Sequence, residues 1–137
     1  MKILALDIGD VWTGTALSDS LGLLAKPYQT VETKNLIPFL KDFFQKESIE
    51  KIIVGHPRTM KGTSSDQTKK VEKAKEELEK EFPQKTFLLW DERLSSKRAD
   101  ILKKAQTKED KIKSHSLAAA FILDSYLQFA RPSEDLE

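Results

Sequence analysis

The stretch MKILALDIGDVWTGTALSD, residues 1–19, decides the fold of this chain. Lys2–Asp7 is an apolar run that ends in an acid, a pattern typical of a buried central strand. Beyond Gly9, the small and β-branched residues of Trp12–Ser18 predict a second strand that pairs with the first as a hairpin. A carboxylate inside a buried strand is unfavourable unless something balances its charge. Asp7 is therefore the first candidate functional residue.

The rest of the chain alternates strands and helices. Strands are predicted within Leu23–Thr33 and at Lys51–Gly55 and Thr86–Trp90, helices at Asn35–Lys46, Ser65–Phe82, Ser95–Lys104 and Ser116–Phe129, and a polar loop at Arg58–Asp66. Hairpins first and strand–helix units later predict an α/β fold, a mixed five-stranded sheet with helices on both faces. We expect residues 1–130 to form one domain and residues 131–137 to be a frayed tail.

The composition restricts the class of protein. The 137 residues fit one domain, and 39% hydrophobic with 33% charged residues is typical of a globular protein. Because the chain has no cysteine, disulfides and thiolate metal ligands are excluded. It has no run of about 18 apolar residues and no signal-peptide core, so we expect a cytoplasmic protein without a membrane segment.

The net charge of +1 limits how the protein can bind nucleic acid. Proteins that coat nucleic acid are usually far more basic. An enzyme that acts on nucleic acid would therefore need its positive charge gathered on one face, and the lysine-rich stretch Ser95–Lys113 can supply such a face. The same stretch also fits an ordinary solvated surface.

Acids stand at the ends of two of the three candidate parallel strands. Asp7 ends the first, and Glu92 stands just beyond Thr86–Trp90. Ligands gather at the carboxyl ends of parallel strands, so these acids are expected at one edge of the sheet. Carboxylate oxygens favour Mg²⁺ or Mn²⁺, ions that can polarise a phosphodiester and activate water. The alternative is structural, because strand-end acids also cap helices or pair with arginines such as Arg93 or Arg98.

Four blocks of sequence stand in an order and at a spacing typical of one family. They are LALDIGDVWTGTALSD (Leu4–Asp19), IIVGHPRTMKGT (Ile52–Thr63), DERLSSKRA (Asp91–Ala99) and SLAAAFILDSYL (Ser116–Leu127). Together they resemble the YqgF/RuvX family, small proteins formerly described as Holliday junction resolvases and now associated with maturation of the 5′ end of 16S ribosomal RNA. The resemblance implies an RNase H-like fold, nuclease activity and a divalent metal cofactor, Mg²⁺ or Mn²⁺.

The resemblance also implies roles for single residues. Asp7 matches the family's first-strand catalytic aspartate, and Glu92 matches the glutamate of its Asp-Glu-Arg-Leu motif. The family's third acid stands just before the two alanines of the final helix, and His115 takes its place here. Asp7, Glu92 and His115 are thus the expected catalytic residues and metal ligands.

His115 has three interpretations. As an exposed residue near a helix start, it marks the loss of the third ligand. As a replacement ligand, its imidazole suits Mn²⁺. As a general acid or base, it moves protons without contacting the metal. We favour a role in the active site, because the start of a helix disfavours imidazolium and keeps the ring neutral.

A second departure from the family is Trp12, which stands where an arginine is usual. The indole either weakens phosphate contact near Asp7, stacks on a base, or packs within the hairpin. The remaining candidate contacts to nucleic acid are basic residues near the strand ends. They are Arg58, Lys61, Arg93 and Arg98.

The leading hypothesis is a metal-dependent nuclease that matures the 5′ end of pre-16S rRNA. Its partner is then RNA, as pre-16S rRNA or the pre-ribosome, and it acts as a monomer or homodimer. One alternative is a Holliday junction resolvase on DNA, which needs a dimer to cut two strands symmetrically. The other is a catalytically weakened, RNA-binding ribosome-biogenesis factor, which the departures at His115 and Trp12 support.

Overall fold

The computed structural model describes residues 1–57, 65–92 and 107–130 of the chain. The strands within them are β1 (Lys2–Ile8), β2 (Trp12–Ser18), β3 (Ala25–Glu32), β4 (Ile49–His56) and β5 (Thr86–Asp91). The α-helices are α1 (Leu36–Lys46), α2 (Asp66–Glu81) and α3 (Lys108–Ala130), and a 3₁₀ turn at Thr33–Asn35 leads into α1.

The strands form one mixed sheet in the order β3-β2-β1-β4-β5. β1 pairs antiparallel with β2, as the predicted hairpin requires, and β2 pairs antiparallel with β3. β4 runs parallel to β1 on its other side, and β5 runs parallel to β4. The predicted mixed five-stranded sheet is confirmed. Pro27 lies in β3, at one end of the strand order, where a strand tolerates a missing N–H.

β1 separates two hydrophobic cores because successive side chains of a strand point to opposite faces of the sheet. Leu4, Leu6 and Ile8 belong to a core that includes residues of α1 and α2. Ala5 belongs to a second core with residues of β4 and α3. Helices therefore cover both faces, as predicted. Asp7 follows the alternation of Ala5, so its side chain is on the face covered by α3.

The start of α2 follows a local sequence signal. The hydroxyl of Ser65 accepts a hydrogen bond from the Thr68 N–H, and the Thr68 hydroxyl accepts one from the Ser65 N–H. This capping box satisfies backbone donors that the first turn of a helix leaves unpaired. The Thr68 hydroxyl also contacts the carbonyl oxygen of Pro57, which ties the start of α2 to the end of β4.

The predicted start of the last helix was wrong: α3 begins at Lys108 rather than at Ser116. Its first turns are charged and exposed, so the apolar periodicity used for the prediction does not reach them. Thr107 and Asp110 cap the helix instead, with the Thr107 hydroxyl accepting a 3.0 Å hydrogen bond from the Asp110 N–H. His115 consequently lies inside the helix, and its predicted position at a helix N-terminus is also wrong.

Several predicted elements fall outside the described residues. They are the helix at Ser95–Lys104, the tail at residues 131–137 and most of the loop at Arg58–Asp66. Across the three described ranges, no helix has the length and apolar character needed to cross a membrane.

Candidate active site

Asp7 lies near the carboxyl end of β1, and only 2% of it is exposed. Its partner in β2 is Gly14. On the other side Leu6 pairs with Val54, so the next residue of β4, Gly55, lies beside Asp7. A glycine therefore flanks the aspartate in each neighbouring strand. The sheet surface around the carboxylate is left open to side chains from other elements.

Helix α3 brings His115 to Asp7. The imidazole Nδ1 lies 3.7 Å from Asp7 Oδ2, and 24% of the histidine side chain is exposed. This approach depends on Gly14, where an added Cβ would overlap the backbone of His115. Thr30 of β3 fixes the same part of the helix, because its hydroxyl donates a 2.7 Å hydrogen bond to the carbonyl oxygen of Ile112.

Glu92 lies directly after β5, and its carboxylate lies over Gly55. A Cβ built on Gly55 would be 2.5 Å from Glu92 Oε1. Because Gly55 is the neighbour of Asp7 in β4, the carboxylate of Glu92 lies over the strand adjacent to the aspartate. The structure thus brings Asp7 and His115 into contact and places Glu92 over the adjacent strand.

The chemistry of these donors suits a divalent cation, since carboxylates and imidazole are both ligands of Mn²⁺ and carboxylates of Mg²⁺. Among the residues that the structure describes, however, no group of three such side chains is arranged to hold a metal ion. Asp7 and His115 form a pair of donors, and the carboxylate of Glu92 lies over Gly55, the neighbour of Asp7 in β4.

The imidazole nitrogen that faces Asp7 is a notable polar atom. Like His56 Nε2, His115 Nδ1 is buried and has no hydrogen-bond partner within the described ranges. A buried polar atom without a partner is unfavourable, and such atoms are rare unless a ligand, an ion or a proton transfer uses them. A protonated ring at this distance would offset the charge of Asp7, whereas a neutral ring offers a lone pair to a cation.

The candidate contacts to nucleic acid are only partly described. Trp12 begins β2 and is half-buried, and the strand alternation places it on the same face of the sheet as Ala16 and the site. Its carbonyl oxygen accepts a 2.9 Å hydrogen bond from the Gly9 N–H, which closes the β1–β2 connection. The four basic candidates lie outside the described residues. They are Arg58, Lys61, Arg93 and Arg98.

His56, the other histidine of the chain, lies on the face of the sheet opposite to Asp7. Its Nε2 is 3.4 Å from Glu72 Oε1 of α2, and 13% of its side chain is exposed. The structure therefore separates it from Asp7 and places it against a helix, which fits a structural role at the end of β4.

Three residues that shape the site were missed by sequence reasoning. Gly14 and Gly55 carried a signal, because a glycine inside a strand weakens it and often marks a close approach of another group. Thr30 carried none, since threonine is common in strands and its bond to α3 depends on how the helix packs.

Comparison with known sequences identifies relatives over nearly the whole chain. Residues 1–129 match the model of a family described as "RuvX: Holliday junction resolvase". Proteins named "Putative pre-16S rRNA nuclease" are similar to this chain. The one from Rubrobacter xylanophilus is 35% identical over 93% of this chain and 92% of its own length. The one from Christiangramia forsetii is 36% identical over 92% of this chain and 97% of its own length. The one from Clostridium tetani is 37% identical over 93% of this chain and 96% of its own length.

Comparison with solved structures identifies the fold. The chain is similar to T. thermophilus RuvC in complex with a Holliday junction substrate, with a TM-score of 0.60 and 11% identity over 95% of this chain and 97% of RuvC. It is also similar to the fowlpox virus resolvase in its complex with Holliday junction DNA, with a TM-score of 0.54 and 12% identity over 96% of this chain and 100% of the resolvase. At such low identity the likeness concerns the fold alone. The predicted RNase H-like fold class is confirmed.

Proposed function

Since this chain belongs to the RuvX family, we propose that it is a metal-dependent nuclease whose active site is built on Asp7, His115 and Glu92. The observation that carries the proposal is the 3.7 Å contact between Asp7 Oδ2 and His115 Nδ1. This pair lies near the carboxyl end of the central strand, the place where α/β sheets hold their ligands.

The proposed substrate is the precursor of 16S rRNA, cut to mature its 5′ end. The names of the relatives support RNA as the substrate, and those relatives align with this chain over more than nine tenths of both lengths. Such full-length similarity leaves no separate domain of the relatives unaccounted for, so the activity in their name can reside in the part that this chain shares.

In the proposed site, Asp7 and His115 hold the divalent cation, and Glu92 is the third ligand. When bound, Mg²⁺ or Mn²⁺ supplies positive charge that stabilises the charge developing on the phosphate. The unpartnered Nδ1 of His115, among the described residues, supports this assignment, because a cation gives that buried nitrogen an interaction.

Each of the three side chains has a different freedom to act. Asp7 belongs to the central strand and is nearly completely buried, so its carboxylate has a fixed position in the site. His115 is positioned through the packing of α3 on Gly14 and the hydrogen bond from Thr30. Glu92 lies at the end of β5, and its longer side chain can orient a water molecule by accepting a hydrogen bond from it.

Substitution of the acids tests the proposal. Asp7→Asn and Glu92→Gln remove a charge with little change of shape. We expect each to reduce RNA cleavage by more than about 100-fold, beyond the loss typical of residues that only support a ligand. Their thermal unfolding is expected to stay close to that of the wild type. Cleavage is measured on a pre-16S RNA fragment with Mn²⁺.

The matched control is Asp124→Asn, which changes an acid of α3 whose Oδ2 accepts a 2.9 Å hydrogen bond from Gln128 Nε2. This variant is expected to cleave as the wild type does. Equal cleavage by the wild type and Asp7→Asn would refute the proposed site, whatever the substrate.

A second candidate function is resolution of DNA junctions, which the description of the matching family favours. The chemistry at Asp7 is then the same, but two copies of the chain must act together to cut two strands symmetrically. A monomer in solution that cleaves RNA would exclude this candidate.

A further inference from the structure

We propose that Gly55 is a positioning residue, whose missing side chain provides the space in which the carboxylate of Glu92 lies beside Asp7. The inference rests on the nuclease proposal for its catalytic consequence, while the space itself is a feature of the structure.

Gly55 lies between the two acids in the sheet. Its partner in β5 is Trp90, two residues before Glu92. On its other side it follows Val54, the partner of Leu6, and so lies beside Asp7. The strand alternation directs a side chain at this position toward α3, the same face as Asp7.

Two side chains fill the space above Gly55. An added Cβ would lie 2.5 Å from Glu92 Oε1 and 3.3 Å from its Cδ, and 2.8 Å from Ile122 Cδ1 of α3. Carbon atoms do not approach other heavy atoms to 2.5 Å without repulsion, so any larger residue displaces one or both groups. Both are the ends of flexible side chains. Alanine at position 55 should therefore move the carboxylate and the isoleucine rather than the backbone.

Backbone conformation does not explain the glycine. Among the described residues only Gly22 has a positive φ, so the conformation at Gly55 is accessible to alanine. Glycine in a strand interior also costs stability relative to larger residues, because it loses more conformational freedom and packs nothing. The space above it is the remaining reason for its presence.

Packing of Ile122 and positioning of Glu92 can be separated by a second substitution. Ile122→Val removes the Cδ1 atom that would meet a new Cβ. If Gly55 serves only to admit Ile122, the double variant Gly55→Ala with Ile122→Val regains both wild-type stability and wild-type activity. If Gly55 positions Glu92, the double variant regains stability but remains impaired in cleavage.

The first measurement is cleavage kinetics of the wild type, Gly55→Ala, Ile122→Val and the double variant, with urea unfolding of each. We expect Gly55→Ala to lower kcat by about 10- to 100-fold, the loss that a displacement of about 1 Å can cause, while KM changes little. Ile122→Val alone should leave kcat unchanged. Wild-type kcat in a folded Gly55→Ala protein would overturn the positioning role.

The second measurement does not depend on activity. A ¹³C NMR spectrum of the side-chain carboxyl groups, with the Glu92 signal assigned by Glu92→Gln, reports the environment of this carboxylate in the wild type and in Gly55→Ala. We expect its chemical shift to change. An unchanged Glu92 signal in Gly55→Ala would overturn the inference. If the signal changes but the wild type cleaves neither substrate, the inference on Gly55 is retained and the nuclease proposal is rejected.

Discussion

At the scale of single residues, the histidine in place of the family's third acid has the largest effect on the chemistry of the site. A carboxylate at position 115 would bring a second negative charge within contact of Asp7, whereas a neutral imidazole brings none. The site therefore carries less negative charge to attract a hard cation such as Mg²⁺. An imidazole ligand shifts the preference toward Mn²⁺, which accepts nitrogen donors more readily.

This difference predicts how His115 variants respond to metal. His115→Ala is expected to raise the Mn²⁺ concentration needed for half-maximal cleavage by about tenfold or more, since even residues that support a ligand cost 10- to 100-fold in metal affinity. His115→Asp restores the family's acid, and we expect it to increase activity with Mg²⁺ relative to Mn²⁺. Both are measured as metal titrations of the cleavage rate.

His56→Ala is the control, because this histidine lies on the opposite face of the sheet and should leave the metal dependence unchanged. An unchanged metal dependence in His115→Ala would contradict the ligand role. If kcat fell while metal affinity stayed the same, a general acid or base role would replace it.

Residues of the site differ in how well the sequence predicts them. Asp7 ends one apolar run and Glu92 stands just beyond another, and the position of an acid at a strand end is visible in the local pattern. His115 was predicted only from the family motif, because its contact with Asp7 depends on how α3 packs on the sheet. The space above Gly55 is also a product of tertiary packing, so the sequence shows the glycine but not its occupant.

At the scale of elements, the starts of α1 and α2 were predicted to within one residue, whereas the start of α3 was not. The predicted first residue of the second helix, Ser65, is the N-cap of α2. The start of α3 was placed too late, although Thr107 and Asp110 form a comparable cap, because the charged turns that follow show no apolar face. In both helices a hydroxyl side chain accepts a hydrogen bond from the backbone N–H three residues later, that of Thr68 in α2 and that of Asp110 in α3.

The connection from β2 to β3 gives a prediction at this scale. Asp19 Oδ1 accepts hydrogen bonds from the N–H groups of Leu24 and Leu23, at 3.1 and 2.7 Å. These two hydrogen bonds hold the pKa of Asp19 below its ordinary value of 3.8, and the bond from Leu24 has the larger effect. A carboxyl with a lowered pKa stabilises the folded state above its unfolded pKa, and this contribution is lost as the pH falls through the folded value.

We therefore compare urea unfolding of the wild type with Asp19→Asn, which keeps an oxygen acceptor but does not titrate. The stability of the wild type relative to the variant should be constant near neutral pH and decrease as the pH falls below about 4. A difference in unfolding free energy that is independent of pH would contradict the role of these hydrogen bonds.

At the scale of the whole molecule, the two faces of the sheet differ in polarity. The face covered by α1 and α2 is a hydrophobic core along β1 from Leu4 to Ile8. The face covered by α3 is hydrophobic at Ala5 and becomes polar at Asp7, where the helix contributes His115. The fold class was predictable because strand and helix periodicities are local, whereas the meeting of β1, β5 and α3 residues depends on the assembled sheet.

The most direct test of the proposed function is an incubation of the purified protein with a pre-16S RNA fragment and, separately, with a four-way DNA junction. Each substrate is tested with and without Mn²⁺, and with Asp7→Asn in parallel. We expect the wild type to cleave the RNA only with Mn²⁺, and Asp7→Asn not to cleave it. Binding of the RNA without cleavage, or equal cleavage by Asp7→Asn, would contradict it.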